Sequence, residues 1–409
     1  MPVELTPPAL TAAVDELFSQ NFAEAIDAVH LRERLLSGQK LRVKLGVDTN
    51  KPDLHLGHAV VLTKLRRLQE LGHQAVIILG DYTATLGDPS DKQQARTLID
   101  PQETKANALQ VQEQILKLLD PSLTEFHYNS QWLAALDLRA ITEIVSKVSV
   151  NHLLGHQTFA DRLASQQPLM VHELIYPILQ GYDSIQIRAD LELGGIDQKF
   201  NCLMGRLMQR AYDQPTQDIL LVPYLAGIDG QAKMSKSLGN TINLTDSAEE
   251  MFGKTMSIPD GQIIAYFELA TLVPESVIEG WRQELASADF NPKEAKLALA
   301  QAITSLYHGL ESAKQAETAF VNRFQKKQLP ADLPKLAIAG HYPTVILALM
   351  ASEQLESNTA ARRLIEQGGV RLDEQTLDQP LSPIELKAGQ ILELGKRRAY
   401  KIATQAKHR

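Results

Sequence analysis

The chain has 409 residues, of which 44% are hydrophobic and 22% charged, and its net charge at pH 7 is −8. This balance is that of a globular protein with a large core, and it excludes a polycation that coats nucleic acid, so any nucleic-acid contact must come from local basic patches. A single cysteine, Cys202, excludes an internal disulfide, and no apolar run approaches the roughly 20 residues of a membrane span. The first residues lack the regions of a signal peptide, and we expect a cytoplasmic protein without a membrane partner.

Apolar periodicity divides the first half of the chain into alternating helices and strands. Helices are predicted at 10–38, 55–71, 102–119, 131–165, 171–181 and from 198 to about 212. Strands are predicted at 41–47, 74–80, 124–128, 184–189 and 218–223. This alternation predicts an α/β fold with a Rossmann-like, doubly wound parallel sheet, in which ligands bind beyond the carboxyl ends of the strands. The loops after the first, second, fourth and fifth of these strands should therefore share one crevice.

The pattern changes after residue 245, which we take as the end of a Rossmann-like catalytic domain. Residues 246–325 show only helical periods and predict an α-helical domain, and the Pro- and Lys-containing segment 326–342 is interpreted as a linker. Residues 343–409 contain ten lysines and arginines against eight aspartates and glutamates, a net charge of +2. This small C-terminal domain is the region of the chain that leans basic.

Two histidines, His55 and His58, stand three residues apart at the start of a predicted helix. They share one helix face, and the unpaired N–H groups and dipole of the helix start attract anions such as polyphosphate. Gly57 between them allows a ligand to approach the backbone. The alternatives are a polar helix start or part of a metal site, although zinc would need further ligands. His172 and Glu173 begin like a zinc-protease helix, but Tyr176 stands where the second histidine should be.

The second candidate motif is Lys233-Met234-Ser235-Lys236-Ser237, in a loop after the last predicted strand. Two ammonium groups with neighbouring hydroxyls suit a triphosphate that must lose pyrophosphate. A solvated basic loop is the alternative.

Together, His-Leu-Gly-His after the first strand and Lys-Met-Ser-Lys-Ser after the last resemble the paired signature of class I aminoacyl-tRNA synthetases. Essentially the whole chain resembles the bacterial tyrosyl-tRNA synthetases, and in particular a sub-branch with Lys-Leu-Gly-Val-Asp before the first motif. Four stretches carry this resemblance: 47–58, 87–90, 176–183 and 194–201. The resemblance implies a homodimeric tyrosine–tRNA ligase, which would activate L-tyrosine with ATP and Mg²⁺ and transfer it to the 3′ end of tRNA(Tyr).

The resemblance also assigns roles to individual residues. Tyrosine binding falls to Asp48, Asp88, Tyr176, Gln180, Asp183 and Gln198, with Asp183 accepting the hydrogen bond of the phenol. Spacings of four and three place Tyr176, Gln180 and Asp183 on one helix face. ATP binding falls to Gly57, Gly195, Asp197 and Lys236, and the catalytic residues would be His55, His58, Lys233, Ser235 and Lys236, with Lys92 and Arg96 on a loop that closes over the pyrophosphate. No protein-bound metal is expected.

The chain departs from the commoner tyrosyl pattern just before the histidines. Lys44-Leu45 replaces a Tyr-Cys pair that would help to recognise the phenol and the ribose, and Thr49-Asn50 replaces Pro-Thr. The roles of the replaced residues cannot be carried over to this chain.

The C-terminal residues resemble the small RNA-binding domain named after ribosomal protein S-four. Its candidate phosphate contacts are Arg362, Arg363, Arg371, Lys396, Arg397 and Arg398, and the alternative is a solvated basic surface. By analogy the helical domain at 246–325 would meet the anticodon, and helices around 131–165 would form the dimer interface.

Three other functions compete with this interpretation. A tryptophanyl-tRNA synthetase would share the fold and both motifs, but Asp183 and the stretch 194–198 favour tyrosine. A small-molecule nucleotidyltransferase could share the histidines, but the lysine loop and the basic C-terminal domain speak against it. A non-catalytic RNA-binding paralogue would be expected to have lost the motif residues, which are intact.

Overall fold

The computed structural model describes residues 6–89, 99–287, 289–324, 333–355, 357–373, 375–395 and 398–404. The chain divides into two compact units, residues 1–317 and 318–409. Among the described residues, no helix combines the length and the apolar character that crossing a membrane requires.

The first unit is built around a six-stranded sheet. Its strands are β1 (Glu24–Ile26), β2 (Arg42–Asp48), β3 (Gln74–Gly80), β4 (Thr124–Tyr128), β5 (Leu191–Gly195) and β6 (Asp218–Val222). They lie in the order β1-β6-β5-β2-β3-β4, with β2 to β6 parallel and β1 antiparallel at the edge beside β6. The α/β class and the parallel sheet that the sequence predicts are therefore confirmed, with an antiparallel edge strand added.

Helices cover the sheet and extend beyond it. They are α1 (Pro7–Leu17), α2 (Ala28–Leu36), α3 (Leu56–Glu70), α4 (Thr83–Leu86), α5 (Pro101–Ile115), α6 (Ser130–Leu133), α7 (Leu138–Val145), α8 (Val150–Leu153), α9 (Gln157–Ala164), α10 (Val171–Ile187), α11 (Lys199–Ala211), α12 (Ala248–Met256), α13 (Ile263–Ala270), α14 (Glu275–Leu285), α15 (Pro292–His308) and α16 (Leu310–Phe324). Buried side chains of α3, such as Leu62 and Leu65, join one apolar cluster with Met251, Phe267 and Leu299 of the later helices. The helical segment after 246 therefore shares its core with the sheet.

Two sequence-based element predictions are wrong. Residues 10–38 are not one helix, because Asn21 and Asp27 have left-handed φ values of 44° and 65° and the edge strand β1 forms between α1 and α2. Residues 184–189 are not a strand, because α10 continues to Ile187 and ends where Arg188 adopts a left-handed φ of 49°. The strand that belongs there is β5, two residues further on.

Among its described residues, the second unit contains the end of α16, two further helices and two small sheets. The elements are β7 (Lys335–Leu336), β8 (Gly340–Tyr342), α17 (Val345–Ala351), α18 (Asn358–Glu366), β9 (Val370–Leu372), β10 (Gln375–Thr376), β11 (Ile384–Leu386), β12 (Ile391–Leu394) and β13 (Arg398–Ile402). The larger sheet has the order β10-β9-β12-β13-β7, and β11 pairs with β8. Residues 335–342, which the sequence interpretation placed in a linker, thus contribute strands to this unit. The predicted domain limits otherwise stay predictions.

Candidate active site

The carboxyl ends of the parallel strands open into a cavity of about 360 Å³. This is the place that the topology of an open α/β sheet favours for a ligand. Of the residues named from the sequence, those that line it are Asp48, His55, Gly57, His58, Asp88, Tyr176, Gln180, Asp183, Gly195, Asp197, Gln198, Lys233 and Ser235. The structure therefore brings together side chains from widely separated parts of the chain.

The two histidines lie at the N-terminus of α3, where His55 is the N-cap residue. The backbone N–H of His55 donates to Nδ1 of His58 at 3.2 Å, and the ring centroids are 4.0 Å apart. Burial is the main cause that lowers the pKa of His55 to about 2 and that of His58 to about 4. Both rings are therefore neutral at pH 7, and His58 carries its proton on Nε2. The buried Nδ1 of His55 has no hydrogen-bond partner among the described residues.

Backbone contacts bring the lysine loop close to the histidines. The N–H of Leu56 donates to the carbonyl of Ile242 at 2.9 Å, and His55 forms an isolated antiparallel bridge with Asn243. On the other side of the loop, the N–H of Met234 donates to the carbonyl of Leu225 at 2.9 Å. These contacts fix the segment after β6 against the start of α3.

Both motif lysines contact carboxylate groups. Nζ of Lys233 lies 2.9 Å from Oδ2 of Asp197, which follows β5. Nζ of Lys236 donates to the backbone carbonyl of Asp53 at 2.6 Å and lies 3.4 Å from its Oδ2. Lys236 lies outside the set of described residues that line the cavity. The N–H of Ser235 donates to Oδ1 of Asn240 at 2.8 Å, which holds the loop in shape.

Asp48, at the end of β2, is half-buried in the cavity wall and accepts hydrogen bonds from two hydroxyl groups. Thr83 donates to its Oδ1 at 2.8 Å, and the phenol of Tyr176 donates to its Oδ2 at 3.0 Å. Burial, followed by the charge of Asp88, raises the pKa of Asp48 to about 7. A cationic ligand group would compensate the charge of this half-buried carboxylate.

Asp183 is a second carboxylate of the cavity and is buried, with 3% of the residue exposed. Its Oδ1 accepts from Nε1 of Trp132 at 2.8 Å, and its Oδ2 accepts from Nδ2 of Asn129 at 3.2 Å. Burial raises its pKa to about 6. Two fixed donors therefore orient the carboxylate, whose remaining lone pairs can accept a hydrogen bond from a ligand.

A model of the family described as tRNA synthetases class I (W and Y) matches residues 36–325. The tyrosine–tRNA ligase of Moorella thermoacetica is 44% identical over 374 residues, which are 91% of this chain and 91% of the relative. That of Thermotoga maritima is 42% identical over 95% of this chain and 96% of the relative. The chain belongs to the class I tyrosyl-tRNA synthetases.

Solved structures of this class share the fold of the synthetase. A truncated mitochondrial tyrosyl-tRNA synthetase of Aspergillus nidulans matches with a TM-score of 0.64 at 19% identity, over 76% of this chain and 94% of the other. The tyrosyl-tRNA synthetase of Archaeoglobus fulgidus complexed with L-tyrosine matches with a TM-score of 0.60 at 23% identity, over 75% and 99%.

The sequence interpretation missed the residues that orient the two carboxylates in this synthetase. Asn129 and Trp132 follow β4, whose carboxyl end lies at the same sheet edge as the other strands. Including the loop after that strand in the predicted crevice would have found them. Thr83 begins α4 in the segment directly after β3, which the prediction did include, but its role depends on a contact with Asp48 that no spacing reveals.

Two polar residues that contact each other and two closely packed glycines complete the cavity wall. Nε2 of Gln198 donates to Oδ2 of Asp88 at 2.7 Å, so these two predicted site residues contact each other. A Cβ on Gly57 would lie 2.9 Å from Nδ1 of His55, and a Cβ on Gly195 would lie 2.5 Å from Oδ1 of Asp197. Side chains at these two glycines would displace the groups that face the cavity.

The remaining predicted residues lie elsewhere or are not described. Lys92 and Arg96 lie outside the described residues, and so do Lys396 and Arg397. Within the second unit, exposed positions are occupied by Arg362 and Arg363 on α18, Arg371 on β9 and Arg398 on β13. The guanidinium of Arg398 donates to the carbonyl of Gln354 at 2.8 Å.

Two of the four residues that depart from the commoner tyrosyl pattern, Leu45 and Asn50, line the cavity. The other two, Lys44 and Thr49, are completely buried and are not among the described residues that line it.

Proposed function

We propose that the chain is a tyrosine–tRNA ligase that forms tyrosyl-adenylate from L-tyrosine and ATP and then transfers tyrosine to the 3′ end of tRNA(Tyr). The single observation that carries this proposal is that an oriented, buried carboxylate and a pair of neutral histidines at a helix start line the same cavity. The buried carboxylate suits the phenol of tyrosine, and the histidine pair at the helix start suits the phosphates of ATP.

The amino-acid end of the cavity binds the three polar groups of tyrosine. Asp183 accepts the hydrogen bond of the phenol. Asp48 faces the ammonium group together with Tyr176, Gln180 and Asp88, and the positive charge of that group compensates the half-buried carboxylate of Asp48. Because a buried acceptor left unpaired is costly, phenylalanine is rejected by a factor of about 10⁴–10⁵.

Adenylate formation is an in-line attack of the tyrosine carboxylate on the α-phosphorus of ATP, with pyrophosphate as the leaving group. No covalent bond to the enzyme is needed, so the catalytic residues position the reactants and stabilise charge that grows on the phosphates. Neutral His55 and His58 donate hydrogen bonds to the phosphates. Lys233, Lys236 and Ser235 contact the departing pyrophosphate, with Lys92 and Arg96 closing over it.

The nucleotide binds with its ribose near Asp197, where Gly195 allows a close approach to the backbone. Mg²⁺ enters as the MgATP complex and shares the phosphate charge with the lysines. The tyrosine carboxylate and α-phosphate then meet near Gln198, which Asp88 holds in place.

The transfer step brings tRNA to both units. We propose that the helical segment 246–325 meets the anticodon and that the exposed arginines 362, 363, 371 and 398 of the second unit contact phosphates, together with Lys396 and Arg397. A ribose hydroxyl at the 3′ end attacks the adenylate carbonyl and releases AMP. We propose a cytoplasmic location, with which the single cysteine agrees.

We further propose a homodimer formed through the helices after β4. Large apolar side chains on and beside these helices are well exposed, namely Leu138, Val150, Leu163, Met170 and Val171. Clustered exposed apolar side chains mark protein interaction surfaces. Light scattering should give twice the chain mass of 45.3 kDa; a monomer at micromolar concentration would contradict the dimer.

ATP–pyrophosphate exchange with L-tyrosine, L-tryptophan and L-phenylalanine tests the substrate. Tryptophan is the second candidate because the matched family model covers both amino acids. We expect exchange with tyrosine alone. Equal exchange with tryptophan would show that the specificity is wrong, and exchange with none of the three would overturn the function.

A further inference from the structure

A buried ion pair lies behind the wall of the tyrosine pocket. Lys44 on β2 is completely buried, Glu192 on β5 is 1% exposed, and the two residues are neighbours in register across the sheet. Nζ of Lys44 lies 2.9 Å from Oε1 of Glu192. Neither residue is among the described residues that line the cavity. The pair therefore acts on a ligand only through other residues.

The ammonium group of Lys44 is fully used by this arrangement. Besides Glu192, it donates to the backbone carbonyl of Gln180 at 2.8 Å and to Oγ of Ser184 at 2.7 Å. A lysine has three N–H donors, and all three have an acceptor. Gln180 and Ser184 are one turn apart on α10 and bracket Asp183. The cation thus binds the helix on both sides of the carboxylate that accepts the phenol.

Glu192 binds the same helix through its own oxygens. Its Oε1 accepts from Nε2 of Gln180 at 3.4 Å, and its Oε2 accepts from Oγ of Ser184 at 3.4 Å and from Nε2 of Gln217. The side chain of Gln180 lines the cavity, so the ion pair reaches one substrate-facing residue directly.

An ion pair is not needed merely to fill this space. Buried pairs lose solvation, and apolar side chains of similar volume often stabilise a core equally well. The strand interior around the pair is apolar, with Val43 and Leu191 fully buried beside it. Apart from the bond with Gln217, the hydrogen bonds of this charged pair converge on one short segment of α10, and they define the position of that segment more narrowly than apolar contacts can.

We propose that the Lys44–Glu192 pair is a positioning element for tyrosine specificity, which fixes residues 180–184 of α10 against the sheet so that Gln180 and Asp183 face the amino acid. This inference rests on the proposed function. It gives a role to Lys44, which replaces the usual tyrosine of the family pattern. On this side of the tyrosine pocket, Asp183 alone accepts the hydrogen bond of the phenol, and Lys44 holds Asp183 in place.

Electrostatics support this arrangement. Burial raises the pKa of Asp183, and the positive charge of Lys44 opposes this effect by lowering the pKa. The hydrogen bonds from Trp132 and Asn129 also lower it, and the charge of Glu192 raises it. Lys44 therefore favours the ionised carboxylate, the form that accepts a hydrogen bond from the phenol.

The test compares a double variant with a matched control. Lys44→Met/Glu192→Met removes both charges and keeps unbranched side chains, which avoids leaving one charge unpaired. Lys64→Met is the control, because Lys64 is also buried but donates to the carbonyls of Leu17 and Gln20 and does not line this cavity. The readouts are KM for tyrosine and for ATP in the exchange reaction, the tyrosine-to-phenylalanine ratio of kcat/KM, and thermal unfolding.

We expect the double variant to raise KM for tyrosine and to lower the tyrosine-to-phenylalanine ratio by up to about 10²-fold, the effect of a misplacement near 1 Å, with KM for ATP within twofold. The control should change neither tyrosine readout. A folded double variant with unchanged KM for tyrosine and an unchanged tyrosine-to-phenylalanine ratio would overturn the positioning role. An equal rise of KM for tyrosine and for ATP would also overturn it, because the pair would then have only a structural role.

A second variant keeps the inference testable if the double variant does not fold. Glu192→Gln retains the size and one acceptor oxygen but removes the negative charge, and it should lower the ratio in the same direction by a smaller factor. An unchanged ratio there would also overturn the proposal. Absence of tyrosine-dependent exchange by the unmodified enzyme would instead refute the proposed function, so the two failures are distinguishable.

Discussion

Replacement of Asp183 by asparagine tests how the enzyme recognises the phenol. The carboxylate is 3% exposed and already accepts from Trp132 at 2.8 Å and from Asn129 at 3.2 Å. An amide of the same shape keeps one acceptor oxygen, which Trp132 occupies, and turns an NH₂ group toward Asn129 and the phenol, so the hydrogen bond from Asn129 is lost as well. For the ligand, the substitution removes one hydrogen bond to a charged acceptor, worth about 1.5–3 kcal/mol, or about 10–150-fold in kcat/KM for tyrosine.

Phenylalanine should respond in the opposite direction. Its ring leaves the charged acceptor of the unmodified enzyme unpaired, and the amide variant reduces that penalty. The tyrosine-to-phenylalanine ratio in pyrophosphate exchange should thus fall by more than the loss of tyrosine activity alone.

Asp81→Asn is the matched control for this experiment. Asp81 is 5% exposed and accepts from the N–H and Oγ of Ser130, but it does not line the cavity. It should cost stability and leave the ratio unchanged. If Asp183→Asn keeps the ratio within twofold, the amino acid does not bind with its phenol at this carboxylate.

Four further changes test other parts of the site. Lys236→Ala should slow exchange by about 10²–10³-fold in kcat with KM for tyrosine unchanged, because one cation that stabilises the leaving pyrophosphate is lost; a pure KM effect would contradict this role. Gly57→Ala should raise KM for ATP, since the added Cβ would lie 2.9 Å from Nδ1 of His55, and a normal KM would show that the ring does not face the phosphates. The pKa of Asp48 is about 7, so its carboxyl becomes protonated and uncharged below that pH, and tyrosine affinity measured by calorimetry should already fall as pH drops from 7.5 to 6.5, above the pKa of about 6 of Asp183; a flat profile over this range would show that Asp48 does not bind the ammonium group. Ending the chain after Phe324 should spare exchange and weaken charging of tRNA, whereas full charging would show that the second unit is not an RNA module.

Much of the crevice could be predicted because buried parallel strands have a simple sequence pattern. The strands at 41–47, 74–80, 124–128 and 218–223 match β2, β3, β4 and β6 closely. The error at 184–189 shows where the pattern is ambiguous. Ile185 and Ile187 alternate as in a strand, but Ile185 packs with Met204 and Met208 as part of a helix pair. A short apolar alternation cannot distinguish the two, and only the left-handed Arg188 ends the helix.

The orientation of the site could not be predicted, because it depends on contacts between distant residues. The face of α10 with Tyr176 and Asp183 follows from spacing alone. That Trp132 should donate to Asp183, 51 positions away, does not follow from any local pattern. The same holds for Lys44. The sequence shows only that it departs from the family pattern, and its ion pair with Glu192 on the neighbouring strand follows from no local pattern.

The pairing of the motif lysines with carboxylates has a consequence for nucleotide binding. Lys233 contacts Asp197 in the cavity wall, and Lys236 contacts Asp53 outside the described residues that line the cavity. Under the proposed function, ATP phosphates must compete with these carboxylates for the lysines, and the ribose must compete with Lys233 for Asp197. Both pairs are partly exposed, and such pairs contribute only about 0–1 kcal/mol each. The exchange of a carboxylate for a phosphate would therefore cost little, and it would release Asp197 toward the ribose when Lys233 turns to the phosphates. We therefore expect nucleotide binding itself to assemble both halves of the proposed ATP site.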